Sequence, residues 1–424
     1  MPVGKNSTVN DIQWNEPQDV SQTIRLQTIT PVFGGGYETR EVDPLCIIRP
    51  AAVRGQLRFW WRAVAGARFS NGADLFRAES ELFGSADTPG GVRIRVQIHT
   101  AGTEQRCAGF ELGDNGRYRA FPKFVQNWPA YALQAFQGEL CEGSMSVKRE
   151  PEIARCGCRF ALTISYLDSS RKKELTDAVG AWIKYGGIGA RTRRGCGSLS
   201  CAEAPQFSPS PVSSETLHPA LAGSVSIVGD IVDDPVIAWR DAVNAYRDFR
   251  QGEGVARTHR RDKPPGANLN SPGRSWWPEP DSIRRITGHA SRGHEPTHPV
   301  ELGFPRAELG LPIIFHFKDK GQGDPEDTTL HGARDGHDRF ASPVITKAIA
   351  VDGGYRPLVL VLNTPHVWQF GDLRLGPATR ISEAQISLSL AERRYVRPLA
   401  GNDVREALIR FVENRWNSSR EVIS

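Results

Sequence analysis

The chain has 424 residues, a length for two or three domains, and its 39% hydrophobic and 24% charged residues supply enough apolar material for real cores. Its 42 glycines and 29 prolines exclude a helical bundle, and no apolar run is long enough for a membrane-spanning helix. The formal net charge of +5 is small, but it is unevenly placed.

In chain order, Met1–Asn10 lacks the apolar stretch of a signal peptide, so a cytoplasmic protein is expected. Thr23–Thr28 alternates apolar and polar residues as a strand does. Ala51–Arg68 reads as a helix with Val53, Leu57, Trp60 and Val64 on one face. Gly91–His99 alternates cleanly, with Val92, Ile94, Val96 and Ile98 on one face and Arg93, Arg95, Gln97 and His99 on the other. Residues 101–151 are irregular and read as an insertion. Phe160, Leu162, Ile164 and Tyr166 mark another strand. Ser170 is placed to cap a helix over Arg171–Tyr185, with Leu175, Val179 and Trp182 inward. A glycine-rich loop at 187–197 leads into a short strand, Gly197–Ala202. The order is β-α-β-β-α-β, a ferredoxin-like (RRM-like) arrangement over residues 1–204.

Residues 205–221, rich in Pro and Ser, read as a linker. A second unit, 222–424, shows a strand at Val225–Ile231 and a helix at Pro235–Arg250 with Trp239, Val243 and Tyr246 as its stripe. A strand at Leu311–Phe317 follows, then a hairpin, Pro343–Val351 and Pro357–Asn363, turned at Asp352-Gly353-Gly354. Asn402 is placed to cap a last helix carrying Val404, Leu408 and Phe411. The expected fold is therefore α+β, a tandem pair of ferredoxin-like units with long insertions. Residues from about 250 to 300 lack periodicity and are expected to be a mobile basic loop.

The positive charge is concentrated. Arg49–Arg68 holds five arginines and no carboxylate, Lys184–Gly197 holds four basic residues and no carboxylate, and Arg250–His294 carries nine basic against four acidic residues. Such patches, and an excess of arginine over lysine, suit a phosphate backbone, which guanidinium forks grip in pairs of hydrogen bonds. On the first helix Arg54, Arg58 and Arg62 recur at i, i+4 and i+8 as one stripe without interspersed glutamate. They point to phosphate contact, or else to an acidic face on a partner protein or to ordinary solvation. Trp61, between that stripe and the apolar face, is placed either to stack on a base or to pack at the core edge.

The most specific feature is Gly187-Ile-Gly189-Ala-Arg191-Thr192-Arg193-Arg194-Gly195-Cys-Gly197. Glycines let a backbone approach phosphates and turn with positive φ. The loop is not a P-loop, since no Gly-Lys-Ser/Thr ends it, and it lacks Gly-x-Gly-x-x-Gly. Its alternative reading is a flexible surface turn. Seven cysteines in no Cys-x-x-Cys pattern read as reduced thiols, and no metal or other cofactor is expected. His289, His294 and His298, or His331 and His337, lack a fitting third ligand.

The spacing Gly-Φ-Gly-x5-Gly-Φ-Gly resembles the glycine-rich loop of the RAMP superfamily of CRISPR-associated RNA-binding proteins. Thr30-Pro-Val-Phe-Gly-Gly-Gly36, the segment Pro50–Arg62, Leu309–Phe315 and Arg339-Phe-Ala-Ser342-Pro343 resemble the first RAMP subunit of type III-B (Cmr) effector complexes. The resemblance implies tandem RRM-like domains in a guide-RNA ribonucleoprotein. It implies contact with guide RNA and complementary target RNA near the guide's 3′ end, and other RAMP subunits of the Cmr complex as neighbours. In such a particle sequence is read by base pairing, and the protein grips backbone and shape. Arg54, Arg58, Trp61, Arg62, Gly187, Gly189, Arg191, Thr192, Arg193, Arg194, Gly195 and Gly197 are the expected RNA-binding residues, with Arg339 and Ser342 as the second unit's counterpart. No catalytic residue is assigned. The alternative is a RAMP endoribonuclease acting on guide precursor or target RNA. Histidine is absent before Ile98, and Asp43 is the nearest acidic candidate.

Overall fold

Alternation of apolar and polar residues produces the first strand, β1 (Val20–Thr28), which turns Ile24 and Leu26 inward and Thr23, Arg25 and Gln27 to solvent. The computed structural model describes residues 20–34, 47–107, 110–113, 118–120, 128–136, 138–141, 147–166, 169–212, 218–259, 273–317, 319–333, 338–377 and 379–424. Within them the first unit runs β1, α1 (Pro50–Ala65), α2 (Gly72–Phe83), β2 (Val92–Thr100), β3 (Arg159–Tyr166), α3 (Lys172–Tyr185) and β4 (Leu199–Ser200). Its sheet is antiparallel throughout, in the order β4-β1-β3-β2. The second unit runs β5 (Ala220–Val228), α4 (Pro235–Gln251), β8 (Val344–Val351), β9 (Gly354–Asn363), α6 (Val404–Trp416) and β12 (Glu421–Val422). Its sheet order, β8-β9-β5-β12, is the same permutation of four antiparallel strands. The fold is thus α+β with antiparallel sheets.

The two units stack as sheet, helices, sheet, helices. Ile24, Phe160 and Leu162 of the first sheet share one apolar cluster with Val53, Leu57 and Trp60 of α1, Val179 and Trp182 of α3, and Ile345, Ile349, Leu358, Leu360 and Leu362 of the second sheet. On its other side the second sheet presents Ile227, Val344, Val359 and Val361 to Tyr246 and Phe249 of α4 and Leu408 and Val412 of α6. Burial on both faces explains why β9 is a near-continuous apolar run, whereas β2, with one face in water, alternates.

Several elements differ from expectation. Ser170 lies in a 3-10 turn, Ser169–Arg171, and Arg171 rather than Ser170 holds the N-cap position of α3. α6 is capped by the Asp403 carboxylate, which accepts from the Arg405 and Glu406 amides, while Asn402 bonds back to the Leu399 carbonyl. The strand read at Leu311–Phe317 shortens to β6 (Ile313–Phe315) and leaves the main sheet. It pairs with β7 (Thr328–Gly332), followed by β10 (Leu373–Leu375) and β11 (Thr379–Ile381), in a separate four-stranded sheet. The expected loop at 250–300 is largely packed where it is described. Trp277, Ile283 and Val300 are buried, and α5 (Glu279–Thr287) sits on that separate sheet. Its polar anchors are internal, since Glu279 pairs with Arg306 and Asp281 with Arg274. Residues 205–212 pack against the first unit, with the Ser210 amide on the Val64 carbonyl and Phe207 edge-on to Tyr185.

Candidate nucleic-acid interface

The arginine stripe on α1 faces α2. Arg54 donates to the Phe83 carbonyl at 2.8 Å and the Val92 carbonyl at 3.1 Å. Arg58 pairs with Glu79 and donates to the Gly84 carbonyl at 3.0 Å, and Arg62 reaches both Glu79 oxygens at 2.6 Å. Glu79 is only 3% exposed, so a carboxylate withdrawn from water is balanced by two guanidinium groups. The stripe expected to meet phosphate fastens α2 to α1 instead: the Phe83 and Gly84 carbonyls at the end of α2 receive Arg54 and Arg58, and the Glu79 carboxylate receives Arg58 and Arg62. Trp61 is a correction of the same kind. It is fully buried, its indole N–H donates to Glu174 at 3.0 Å, and no base can reach its ring without unfolding the unit.

The glycine-rich loop is knitted to Thr30–Phe33, part of another segment that carried the resemblance; Gly35, Gly36 and Asp43 lie outside the described residues. The Thr30 hydroxyl donates to the Gly195 carbonyl at 2.6 Å, the Gly197 amide to the Pro31 carbonyl at 2.8 Å and the Ala190 amide to the Phe33 carbonyl at 2.9 Å. Gly195 and Gly197 both have positive φ, and a Cβ on Gly197 would lie 1.9 Å from the Ile188 carbonyl oxygen. Gly187 and Gly189 are held similarly close, their positions facing the Gly197 and Phe33 carbonyls. Arg191 takes a left-handed conformation, and Thr192–Arg194 make one 3-10 turn.

That turn carries its arginines to the second unit. Arg193 donates to the Ser342 carbonyl at 2.6 Å and lies over the Phe59 ring; Arg194 donates to the Val344 carbonyl at 2.9 Å and lies over Tyr246. The Trp239 indole closes the junction from the other side, donating to the Arg194 carbonyl at 2.6 Å. Burial lowers the Arg191 and Arg193 guanidinium groups from their ordinary range, Arg193 to about 10 with Arg194 beside it. The loop and the 339–342 segment therefore do meet, as the seam between the units. Arg339 is exposed beside it, and Ser342 is half-buried.

A cavity of about 240 Å³ opens at this seam, lined by Gly55, Gln56, Phe59, Tyr185, Thr192, Arg193 and Ile345 among others. Its lining includes no histidine, lysine or carboxylate. Deeper in, Lys347 of β8 is fully buried and donates to the Gly186 carbonyl at 2.7 Å and the Ile183 carbonyl at 3.2 Å. Sequence reading missed this residue, since a lysine in an apolar strand reads as an edge position.

One trio of possible metal ligands exists among the described residues, His294, Asp319 and Asp324. Asp324 is already saturated. Burial opposes its charge, yet hydrogen bonds from Arg284, His294 and the Ser291 amide hold its carboxyl down at about 2. His289 and His298 join no such trio, and His337 is outside the described residues. The cysteines at 107, 141, 156, 158, 196 and 201 are free thiols, and no described helix is long and apolar enough to cross a membrane.

Residues 25–200 match the RAMP superfamily. The chain is 25% identical over 185 residues, 41% of its own length, to the CRISPR system Cmr subunit Cmr1-2 of Pyrococcus furiosus, of which it covers 91%. Among solved structures it is similar to Cmr1 from Pyrococcus furiosus in the apo form, with a TM-score of 0.49 and 16% identity over 95% of this chain and 98% of that one. It is also similar to a chain of the type III-B Cmr-beta complex bound to cognate target RNA, with a TM-score of 0.41 and 13% identity over 93% of this chain and 99% of that one.

Proposed function

From the match of residues 25–200 to the RAMP superfamily, we propose that this chain is a non-catalytic, RNA-binding subunit of a type III-B CRISPR ribonucleoprotein. In this reading two ferredoxin-like (RRM-like) units form the subunit. It grips guide RNA and complementary target RNA near the guide's 3′ end, beside other RAMP subunits, and needs no cofactor.

The observation that carries the reading is the meeting of the glycine-rich loop with the 339–342 segment. Arg193 joins them through the Ser342 carbonyl, beside an open cavity and the exposed Arg339. Backbone amides and guanidinium groups at such a seam suit a phosphodiester chain that crosses from one unit to the other. Arg191, Arg193 and Arg194, half-buried with Thr192, act there mainly by holding the loop's shape, and Arg339 is the exposed cation. Arg54, Arg58 and Arg62 contribute by positioning α2.

Photo-crosslinking of the assembled particle, followed by peptide mapping, tests this. Crosslinks from guide or target RNA are expected on peptides containing 187–197 and 339–342. Crosslinks confined to other peptides would remove the seam from the RNA path, and cleavage of added RNA by the purified chain would restore the endoribonuclease reading.

A further inference from the structure

The stacking of the two units leaves one sheet face in water, the outer face of β1, β3 and β2. Its outward positions are Ser21, Thr23, Arg25 and Gln27 on β1, Arg159, Ala161, Thr163 and Ser165 on β3, and Arg93, Arg95, Gln97 and His99 on β2. No carboxylate stands among them, in a chain with 48 acidic residues, and the only apolar side chain is a methyl group.

The register gives the face a shape. On the central strand, Ala161 lies between Arg25 and Gln97, and Thr163 between Thr23 and Arg95. Arg159 lies opposite Gln27. Small side chains at 161, 163 and 165 thus form a shallow strip on the central strand, with Arg25 on one flanking strand, Arg95 on the other and two residues out of step, and Arg159 at the end of the strip. Arg25, Arg95 and Arg159 are exposed and make no hydrogen bond or ion pair with another described residue. These cations differ from the α1 stripe and from Arg193 and Arg194, whose guanidinium groups are committed inside the chain.

We infer that this sheet face is a second RNA-binding surface, which holds a sugar-phosphate backbone through Arg25, Arg95 and Arg159. The inference rests on the RNA-binding reading above and adds a site to it. The occupant follows from charge complementarity. A face with no carboxylate among its described strand positions, and three guanidinium groups with no partner among the described residues, suits a polyanion, and hydroxyl and amide groups between them suit ribose and phosphate oxygens. The only ring among these positions is the His99 imidazole, on the edge strand, so the grip is mainly on backbone.

The test uses the full-length chain and a fluorescein-labelled 20-nucleotide mixed-sequence RNA, single-stranded in one arm and paired to its complement in the other. Binding is measured from 50 to 300 mM salt for the wild type, for the Arg25→Ala/Arg95→Ala/Arg159→Ala variant and for the corresponding triple lysine variant. All three changes are on exposed side chains, and a thermal melt checks that folding is retained. With three phosphates no longer neutralised, the alanine variant is expected to lower the slope of log K against log salt by about 2 and affinity at 0.1 M salt by roughly 100-fold, while the lysine variant keeps most of the slope. The arm in which the loss occurs assigns the face to unpaired or paired RNA. Wild-type affinity and slope in the alanine variant would overturn the inference while leaving the RNA-binding reading intact. The same result with loss of partner subunits on purification would reassign the face to protein. A wild type that binds no RNA in either arm would overturn both readings.

Discussion

Arg193 Nη1 and the Ser342 carbonyl oxygen meet at 2.6 Å, joining residues 149 positions apart across the two units. Both belong to segments expected to grip RNA, yet here they grip each other. The bond goes to the Ser342 backbone, so its two ends respond differently to mutation. Arg193→Ala leaves a carbonyl without its partner at the seam and is expected to cost about 1–3 kcal/mol. Ser342→Ala keeps the carbonyl and loses only the neutral contacts of its hydroxyl with the Val344 amide and the Tyr246 hydroxyl, at 3.2 and 3.4 Å, so it should cost about 1 kcal/mol, less than Arg193→Ala. Urea unfolding of the two variants makes the comparison, and equal costs would mean that the bond does not hold the seam.

Glu79 is the second fastener. Glu79→Gln removes the charge that Arg58 and Arg62 share and leaves both guanidinium groups against the end of α2. Both arginine side chains are about a third exposed, at 28% and 36%, so water recovers part of the loss. The expected cost is about 2 kcal/mol, less than for a fully buried pair. A melting temperature equal to that of the wild type would show that the pair is mere surface pairing.

The glycines divide by environment. Gly197→Ala forces a Cβ to within 1.9 Å of a carbonyl oxygen in a positive-φ turn and should unfold or severely destabilise the first unit. Gly55, on the exposed side of α1 with nothing within 4 Å of an added Cβ, should gain about 0.5–1 kcal/mol on conversion to alanine. Calorimetry of the two single variants reads opposite shifts if the loop is a constrained turn, and a tolerated Gly197→Ala would make it a flexible one.

How much of this was legible in the sequence follows from where partners lie. Phe160, Leu162, Ile164 and Tyr166 read as an inward face because alternation is local, and all four are buried. Val53, Leu57, Trp60 and Val64 were equally readable, being four residues of one helical stripe. The role of Arg54, Arg58 and Arg62 was not, because their partners stand on α2 and at the start of β2, and a solvated stripe and a clamped one look alike without them. Trp61 belongs with them, since only the packing of Phe69 and Phe83 closes over its ring. The two-residue strand β12 gives no periodic signal. The separate sheet is assembled from strands of three to five residues too short to show alternation.

Lys347 makes the seam sensitive to pH. Burial lowers its ammonium group from an ordinary value of 10.5 to about 7. Between those values the unfolded chain holds a proton here that the folded chain has released, so stability rises with pH across that window, by at most about 1.4 kcal/mol per unit. Below about pH 7 both states are protonated and the contribution is flat. Lys347→Met removes it, so urea midpoints of wild type and variant, measured from about pH 7 to 9, should converge or cross in favour of the wild type as pH rises. Parallel profiles would mean that the buried amine keeps its proton throughout.

The central claim is that this chain works inside an RNA-guided particle, and affinity purification of the tagged full-length chain from its own cell tests it most directly. The account predicts co-purification of other RAMP subunits together with a short RNA of uniform 5′ end. Recovery of the chain alone, without RNA, would contradict it.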